Sequence, residues 1–435
     1  MKKYDSYKDS GIEWIDSIPK NWNAKPLFSI AEKNRAKNTN LQEETVLSLS
    51  YGNIIERDVE SNFGLLPESF NTYQIVDEGY IILRLTDLQN DKKSLRVGLV
   101  RQKGVISSAY VGLILKNFNS TFIYYLLHSY DLQKVFYNFG SGVRQNMTFT
   151  DLRRLQIIEP TFEEQTQIAN YLDHKTTQID NLISKKERLI ELLQEERTAI
   201  VNQAVTKGIN PNVPMKDSGI EWLGEIPEHW EEARIKNVAN IIGRIGFRGY
   251  TTEDLVEEGE GVISLSPSNI KNQNLVLEKC TYLSWEKYHE SPEIKIYPND
   301  ILLVKTGSTI GKTAIVFEGT PEMTLNPQLV VLKDVQLQSK FLYFLMISNY
   351  FQGYFDVYTA GGSTPAISQE KINNFKIAFP EETEQKTIVD NLERMEIRIT
   401  DLIEKYRTEI ELLKEYKIAL ISEVVTGKVD VRDEQ

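Results

Sequence analysis

The clearest pattern of apolar and polar positions is a helical stripe that occurs twice. Apolar or long side chains recur at spacings of 4-3-4-3-4-4-3-4-3-4 from Ile168 to Ala204, and the same spacing returns 220 residues later from Ile388 to Val424. This spacing predicts two helices, each with one apolar face. The stretch 163–206 contains no Pro or Gly, and Gly208-Ile-Asn-Pro211 predicts the end of the first helix.

Such a stripe fits either the core helix of one domain or a seam between two helices. At 1.5 Å per residue the first helix would extend roughly 60–65 Å, which is long for a core helix. The doubled four is a stutter that both copies carry at the same place, which favours one defined register between them. We therefore predict that the two helices pack on each other as a spacer. The predicted seam residues are Ile168, Leu172, Ile179, Leu182, Ile190, Leu193, Ile388, Leu392, Ile399, Leu402, Ile410 and Leu413.

A second repeat frames the helices. Residues 7–22 (YKDSGIEWIDSIPKNW) and 215–230 (MKDSGIEWLGEIPEHW) match at ten of sixteen positions. The stretches between the frames, about 23–150 and 231–370, barely resemble each other. Within them, GYIILRL and NDILLVK, which end at Leu85 and Lys305, both predict a buried strand after a turn. The repeated frames therefore indicate that the same partner or geometry is required twice, while the unlike inserts indicate that each insert has a different task.

The order insert, helix, insert, helix, with KDSGIEW…IP…W opening each half, resembles the specificity subunits of type I restriction–modification enzymes over essentially the whole chain. The segments that carry the resemblance are Ser10–Trp22, Ser218–Trp230, Pro160–Gln165, Pro380–Gln385 and the glycine turns Gly140-Ser-Gly142 and Gly361-Gly-Ser363.

The resemblance implies an α+β fold: two globular mixed α/β target recognition domains in a pseudo-twofold arrangement, joined by two long helices that pack as an antiparallel coiled coil. We expect the first recognition domain at 1–160, the first helix at 161–208, the second domain at 209–380 and the second helix at 381–435. Each domain would read one half of an asymmetric split DNA target, and the helices would fix the gap between the halves.

The resemblance also implies that the helices dock two methylation subunits, and that restriction (translocase) subunits join the complex. Methylation and cleavage then belong to the partners, so S-adenosylmethionine, ATP and Mg²⁺ are expected on them. We expect no catalytic residue, cofactor or metal in this chain.

Amino-acid composition does not decide between this interpretation and its alternative. The net charge of −12 favours an alternative, a coiled-coil adaptor that holds two protein partners without DNA, although binding depends on local potential more than on the sum. The single cysteine, Cys280, suits a reducing cytoplasm. No apolar run reaches the roughly 18–20 residues of a membrane helix, so we expect no membrane partner.

Basic and amide side chains in the inserts are the candidates for DNA contact, because they can bind phosphates or base edges. A solvated loop remains the alternative for each. In the first insert the candidates are Arg84, Lys92, Lys93, Arg96, Arg101, Lys103, Arg144, Gln145 and Asn146. In the second insert they are Arg244, Arg248, Tyr250, Ser308, Thr309, Lys312, Thr313, Asn326 and Gln328.

Two enzymatic motifs fail in detail. Gly307–Thr313 resembles a phosphate-binding loop, but only three residues separate its glycines, and the following Ala314–Phe317 predicts a strand where a helix is required. Asn326-Pro-Gln-Leu329 lacks the second proline and the aromatic residue of a methyltransferase motif, and the four histidines share no metal-ligand spacing. The sequence therefore disfavours a nucleotide-dependent enzyme.

Overall fold

The computed structural model describes residues 2–58, 69–88, 95–139, 146–220, 223–244, 246, 249–359 and 365–432. The chain forms two compact units. Unit 1 comprises Met1–Glu187 and Arg407–Gln435, and unit 2 comprises Arg188–Tyr406. Both unit boundaries fall inside long helices, so each unit contains one insert and part of both helices.

Unit 1 is built from short strands and helices that precede the first long helix. Its strands are β1 (Tyr7–Ile12), β2 (Ile15–Pro19), β3 (Asn23–Pro26), β4 (Ala31–Lys33), β5 (Leu47–Ser50), β6 (Asn53–Glu56), β7 (Gln74–Val76), β8 (Ile81–Leu83), β9 (Val97–Leu99), β10 (Gly104–Ile106), β11 (Val111–Leu115) and β12 (Gln156–Glu159). Its helices are α1 (Leu27–Ile30), α2 (Ser120–Leu132), α3 (Phe149–Leu152) and the first part of α4 (Phe162–Lys207).

Unit 2 follows the same plan with additional strands. These are β13 (Met215–Asp217), β14 (Glu225–Pro227), β15 (Glu231–Arg234), β16 (Asn240–Ile242), β17 (Leu255–Val256), β18 (Gly261–Leu265), β19 (Ile270–Lys271), β20 (Asn274–Leu275), β21 (Thr281–Ser284), β22 (Ile301–Val304), β23 (Thr313–Ile315), β24 (Met323–Leu325), β25 (Leu329–Lys333) and β26 (Lys376–Phe379). The helices are α5 (Trp285–His289), α6 (Ser339–Ile347), α7 (Asn349–Thr359), α8 (Gln369–Asn373) and α9 (Glu382–Val425), whose last part belongs to unit 1.

An antiparallel sheet of order β4-β11-β8-β9 forms the centre of unit 1. The predicted strand at GYIILRL is confirmed as β8, and all three of its residues are buried, as expected for an apolar strand at the centre of a sheet. The hydrophobic core joins this strand and α2 to the start of α4 and the end of α9. The long helices are therefore part of the core of unit 1.

The insert of unit 2 has the same central topology, with the order β16-β25-β22-β23. The predicted strand at NDILLVK is confirmed as β22 and is fully buried. A backbone hydrogen bond runs from Met147 N to Leu85 O in unit 1 and from Ile367 N to Lys305 O in unit 2, at positions 220 residues apart. Unit 2 adds a second sheet of order β17-β21-β18-β24, in which β18 and β24 are parallel.

The predicted helices are confirmed as α4 and α9, and ion pairs between them show antiparallel packing. In unit 1, Lys417 pairs with Asp180 at 2.7 Å and Lys186 pairs with Glu409, so the α9 partner number falls as the α4 number rises. In unit 2, Arg197 Nε lies 2.7 Å from Glu396 Oε1. The two helices thus pair along their length within each unit.

One predicted seam residue is wrong. Leu182 is 42% exposed, whereas Ile183 is half-buried and packs against the core of unit 1. The other predicted seam residues are buried or half-buried. With Ile183 in place of Leu182, the doubled four of the first copy moves from the fifth and sixth intervals of the stripe to the third and fourth, because α4 turns Ile183 toward the core.

The repeated Ile-Pro-x-x-Trp segments pack against helix ends. Trp22 and Trp230 are almost fully buried, and the backbone N–H of each donates to the carbonyl of the proline three residues earlier. Their rings lie beside Gly427 and Gly208, which follow the last turns of α9 and α4. Each frame therefore packs against the end of one long helix.

The Pro-x-x-x-Glu-Gln segments have a structural explanation. Gln165 is buried, its Nε2 donates to Pro160 O, and its Oε1 accepts from the backbone N–H of Asn119, which precedes α2. Gln385 makes the same two bonds, with Pro380 O and with Gln338 N before α6. One buried amide thus joins the start of a long helix to the start of the insert helix in both units.

Candidate nucleic-acid interface

Strand directions bring three polar segments of unit 1 to one edge of its central sheet. β4 and β8 are both antiparallel to β11, so the chain leaves both strands at the same edge. Residues 33–37 follow β4, residues 84–88 follow β8, and residues 108–110 lead into β11. Residues 146–147 join them, because Met147 N donates to Leu85 O. We call residues 33–37, 84–88, 108–110 and 146–147 edge 1.

Arg96 holds the loop of edge 1 from beneath. Its side chain is buried, and its guanidinium donates to the carbonyls of Arg84 (3.2 Å), Thr86 (2.8 Å) and Asp87 (2.9 Å). From the side, Asn146 Oδ1 accepts from Asp87 N at 2.7 Å. The prediction that Arg96 contacts DNA is therefore wrong: it is buried and donates to backbone carbonyls. Arg84 is half-buried in the loop, and Asn146 is exposed.

A basic group in edge 1 is absent from the sequence-based candidates. Lys33, Arg35 and Lys37 are exposed, while Asn34 between them is buried and donates to Gln74 Oε1 and Ile75 O. The three cations line a cleft of about 320 Å³, and no ion pair is found for them within the described residues. The sequence did carry a signal, because cations at i, i+2 and i+4 of an extended segment share one face.

The structure separates Arg101 and Lys103 from this edge. Both are exposed in the turn after β9, which runs antiparallel to β8, so they lie at the opposite edge of the sheet. Arg101 Nη2 lies 3.7 Å from Asp173 Oδ1 of α4. The basic run from Arg84 to Lys103 is therefore one cluster in sequence but not in space.

Unit 2 has the corresponding edge, because β16 and β22 are likewise both antiparallel to β25. Lys305 N donates to Gln328 O, and Gly307 N donates to Pro365 O. These bonds bring together the β22–β23 turn, the turn before β25 and the segment that precedes α8. We call residues 243–244, 305–312, 326–328 and 365–367 edge 2.

Four of the predicted residues are accessible at edge 2. Ser308 and Gln328 are exposed, and Thr309 and Lys312 are half-buried. Lys305, which was not predicted, is also half-buried there. Together they present hydroxyl, amide and ammonium groups, which can bind phosphates and base edges.

Three predicted residues of unit 2, Arg244, Thr313 and Asn326, are buried and have structural roles instead. Arg244 is 5% exposed and donates to Leu325 O (2.8 Å) and Thr324 Oγ1 (3.0 Å). Burial lowers the pKa of its guanidinium, and the Tyr250 ring, 5.4 Å away, covers it.

The other two have a similar explanation. Thr313 is fully buried and bonds Gly311 O and Gln273 Oε1. Asn326 is buried, and its Oδ1 accepts from Gln328 N. For the buried residues Arg244, Thr313 and Asn326 direct DNA contact is therefore a wrong prediction, whereas DNA contact by half-buried Tyr250 stays a prediction.

The remaining candidates, Lys92, Lys93, Arg144, Gln145 and Arg248, lie outside the described residues, as do both glycine turns.

The described residues contain no group of three or more His, Cys, Asp or Glu side chains that could hold a metal ion. Gly307–Thr313 forms the β22–β23 turn, and the predicted strand after it is confirmed as β23. No helix among the described residues has the length and apolarity needed to cross a membrane. Two units of one topology, each with a polar sheet edge, define a duplicated recognition protein.

Comparison with known proteins identifies the kind of recognition. Residues 19–193 and 227–412 match the type I restriction modification DNA specificity domain. The chain is 28% identical over 340 residues to the type I restriction enzyme MjaVIII specificity subunit of Methanocaldococcus jannaschii, covering 76% of each chain. It is 25% identical to the EcoBI specificity subunit of Escherichia coli, covering 46% of this chain and 42% of that one.

Two solved structures share the fold. One comes from work on complex assembly and conformational transition of the type I R-M system. It aligns with a TM-score of 0.71 and 14% sequence identity, and the alignment covers 95% of this chain and 99% of that chain. The other is the HsdS subunit from Thermoanaerobacter tengcongensis. It aligns with a TM-score of 0.56 and 14% sequence identity, and the alignment covers 95% of this chain and 98% of that chain. The chain belongs to the type I restriction–modification DNA specificity family, whose members are non-catalytic DNA-recognition subunits. Its two specificity domains fit recognition of a two-part DNA target.

Proposed function

We propose that edge 1 and edge 2 each read one half of an asymmetric two-part DNA sequence. The observation that carries this proposal is that both edges have the same backbone frame, with the 147–85 and 367–305 hydrogen bonds, but different side chains. A common frame with unlike side chains is what two different half-sequences require. The recognition domains are then 1–160 and 209–380, and the helices 161–208 and 381–435.

The side chains of each edge divide between two tasks. Exposed Lys33, Arg35 and Lys37 contact phosphates, which positions the domain on the duplex without selecting a sequence. Exposed Thr86 and half-buried Arg84 in unit 1, and exposed Ser308 and Gln328 in unit 2, face base edges. Lys92, Lys93, Arg144, Gln145 and Arg248 remain candidates from the sequence.

The helices set the gap between the half-sequences and dock two methylation subunits. Exposed Leu192 on α4 and exposed Leu412 on α9 stand 220 residues apart in the repeat, and they offer one partner two equivalent contact places. Restriction (translocase) subunits complete the complex in the cytoplasm. S-adenosylmethionine, ATP and Mg²⁺ belong to those partners.

Mapping methylated adenines tests the function. The chain is co-expressed with its cognate methylation subunit, the complex is verified by its mass, and the host genome is sequenced for methylated adenine. We expect a two-part motif with a fixed gap, which disappears when this chain is omitted. A verified complex that leaves methylation unchanged would instead support a protein adaptor that holds partners without DNA.

A further inference from the structure

Each unit holds one buried arginine beneath a turn of its recognition edge. Arg96 and Arg244 are both nearly inaccessible, and both donate to the main chain of a neighbouring segment. They lie next to different strands of the central sheets, since Arg96 precedes β9 and Arg244 follows β16. The same arrangement therefore arises at two places that the sequence repeat does not relate.

In unit 1 the guanidinium supplies hydrogen-bond donors to the backbone carbonyls of the loop that follows β8. It reaches the carbonyls of Arg84, Thr86 and Asp87, and Asp87 has a φ of 54°, in the left-handed region. A planar group with five N–H donors suits several carbonyls in a fixed arrangement better than an ammonium group. The direction of exposed Thr86 thus depends on Arg96.

In unit 2 the guanidinium fixes the strand that leads into the turn before β25. Arg244 Nε donates to Leu325 O and Nη2 to Thr324 Oγ1, and Asn326 then closes the turn on Gln328 N. Gln328 is exposed at the end of this arrangement. The placement of its amide therefore depends on Arg244.

We propose that Arg96 and Arg244 are positioning residues that set the base preference of edge 1 and edge 2, respectively, by fixing the backbone of the turn above them. This inference rests on the proposed function of the two edges. It assigns each arginine an effect on one half-sequence only, although neither side chain is accessible to DNA. An arginine that only filled space would change stability and leave base preference as it was.

The test uses the assembled methylation complex of Arg96→Lys or Arg244→Lys. DNA bound from two libraries, each with one half-sequence randomised, is sequenced. We expect Arg96→Lys to reduce discrimination in the unit 1 half by about 5- to 100-fold at one or more base pairs, the range of one lost base-specific contact. The unit 2 half should be unchanged, and Arg244→Lys should give the reciprocal result. Arg101→Lys, exposed in unit 1, is the matched control and should change neither half.

A second variant covers the case in which Arg96→Lys does not fold. Asn146→Ala removes the other support of the loop, the acceptor for Asp87 N, and Asn146 is exposed, so the core stays intact. It should relax base pairs in the unit 1 half and raise amide hydrogen exchange at residues 85–88. Folded variants with unchanged preference, or with both halves relaxed, would overturn the inference. A native complex with no two-part motif would overturn the proposed function itself.

Discussion

Among single residues, exposure separates the cations of edge 1 into two kinds. Lys33, Arg35 and Lys37 are exposed along one cleft, whereas Arg96 lies under the same edge and donates to backbone carbonyls. Phosphate contacts add affinity that depends on salt, because each one releases counterions from the duplex. Only the exposed group can make such contacts.

Replacing Lys33, Arg35 or Lys37 by glutamine should therefore weaken DNA binding of the assembled complex to the same extent for every sequence. Each substitution should lower the slope of log affinity against log salt by about 0.9, the contribution of one phosphate contact. Titrations between about 50 and 200 mM salt measure this slope. Lys116→Gln is the control, because Lys116 already pairs with Glu32 at 3.0 Å. An unchanged slope in all three variants, or a changed base preference, would contradict the assignment.

Sequence alone identifies these charges but not their accessibility. Arg96 and Arg101 look equivalent in a basic run, yet one is buried and the other is exposed at the opposite edge of the sheet. The difference arises from strand pairing, which is not local in sequence. The alternation of Lys33, Arg35 and Lys37 was readable beforehand, since it depends only on extended geometry.

A buried histidine in α2 couples stability to pH. His128 is 8% exposed beside Tyr124, and burial, with a smaller contribution from Lys417, lowers its pKa to about 4. In an unfolded chain the pKa is about 6.5. Between these values the unfolded chain binds a proton that the folded chain does not, so stability falls as pH falls from about 6.5 to 4.

Urea unfolding at about pH 7, 6 and 5 measures this effect in the native chain and in His128→Gln. The free energy of unfolding should fall more steeply with decreasing pH in the native chain, by at most about 1.4 kcal/mol per pH unit. His174→Gln, at an exposed position of α4, is the control for the loss of an imidazole elsewhere in the chain. Equal slopes for the native chain and His128→Gln would refute the coupling.

Among the elements, the two helix ends are equivalent but differ in how tightly they are packed. Gly208 and Gly427 both have a left-handed backbone, with φ of 72° and 76°. A Cβ on Gly427 would lie 2.5 Å from Pro19 Cδ, and one on Gly208 would lie 3.2 Å from Glu384 Oε1. Pro19 is buried at the end of β2, whereas the Glu384 carboxylate is the end of a flexible side chain, which can shift at the expense of its bonds to Trp230 Nε1 and His229 Nε2.

Alanine at Gly208 should therefore cost about 1–2 kcal/mol for the left-handed backbone plus the strain on the Glu384 bonds, and alanine at Gly427, where a proline ring must move, should cost more. Urea unfolding followed by amide hydrogen exchange gives the cost in each unit. Gly219→Ala is the control, because Gly219 has a φ of 58° and the described residues, apart from its chain neighbours, place no heavy atom within 4 Å of the added Cβ. The explanation fails if Gly427→Ala costs no more than Gly219→Ala.

The helices were the most predictable elements, because periodicity and the absence of Pro and Gly are local properties. The single wrong seam residue shows the limit of prediction from local periodicity. Leu182 and Ile183 are both apolar, and only the pairing with α9 in unit 1 decides which one turns inward. An apolar stripe predicts which face of a helix is buried, but next to a stutter it does not decide which of two adjacent apolar residues lies on that face.

For the whole molecule, the common topology of the inserts could not be predicted from the sequence. Buried strands such as β8 and β22 require only apolar side chains, so their sequences do not specify which strands they pair with. The order β4-β11-β8-β9 recurs as β16-β25-β22-β23 through pairings that are distant in sequence. The frames, in contrast, match at ten of sixteen positions, and Trp22 makes the same backbone hydrogen bond as Trp230. The Pro-x-x-x-Glu-Gln segments are likewise repeated, because Gln165 makes the same contacts as Gln385.

The continuity of α4 and α9 through both units leads to a prediction about the gap in the DNA target. Removing one heptad from each helix, residues 188–194 and 401–407, keeps the apolar stripe in phase. These residues lie between the ion pair Lys186–Glu409 in unit 1 and Arg197–Glu396 in unit 2.

Seven residues at 1.5 Å each shorten a helix by about 10 Å, which corresponds to roughly three base pairs of B-DNA. Because residues 188–194 include Leu192, a proposed contact of the methylation subunit, the readout is the DNA that the chain itself selects from a library of half-sequences and gap lengths. The selected DNA should keep the same two half-sequences with a gap about three base pairs shorter. Deleting the heptad from α4 alone should abolish selection of a two-part sequence, because the two stripes then lose their register. If the double deletion altered either half-sequence, the helices would have to contact bases themselves, and the division of labour between edges and helices would be wrong.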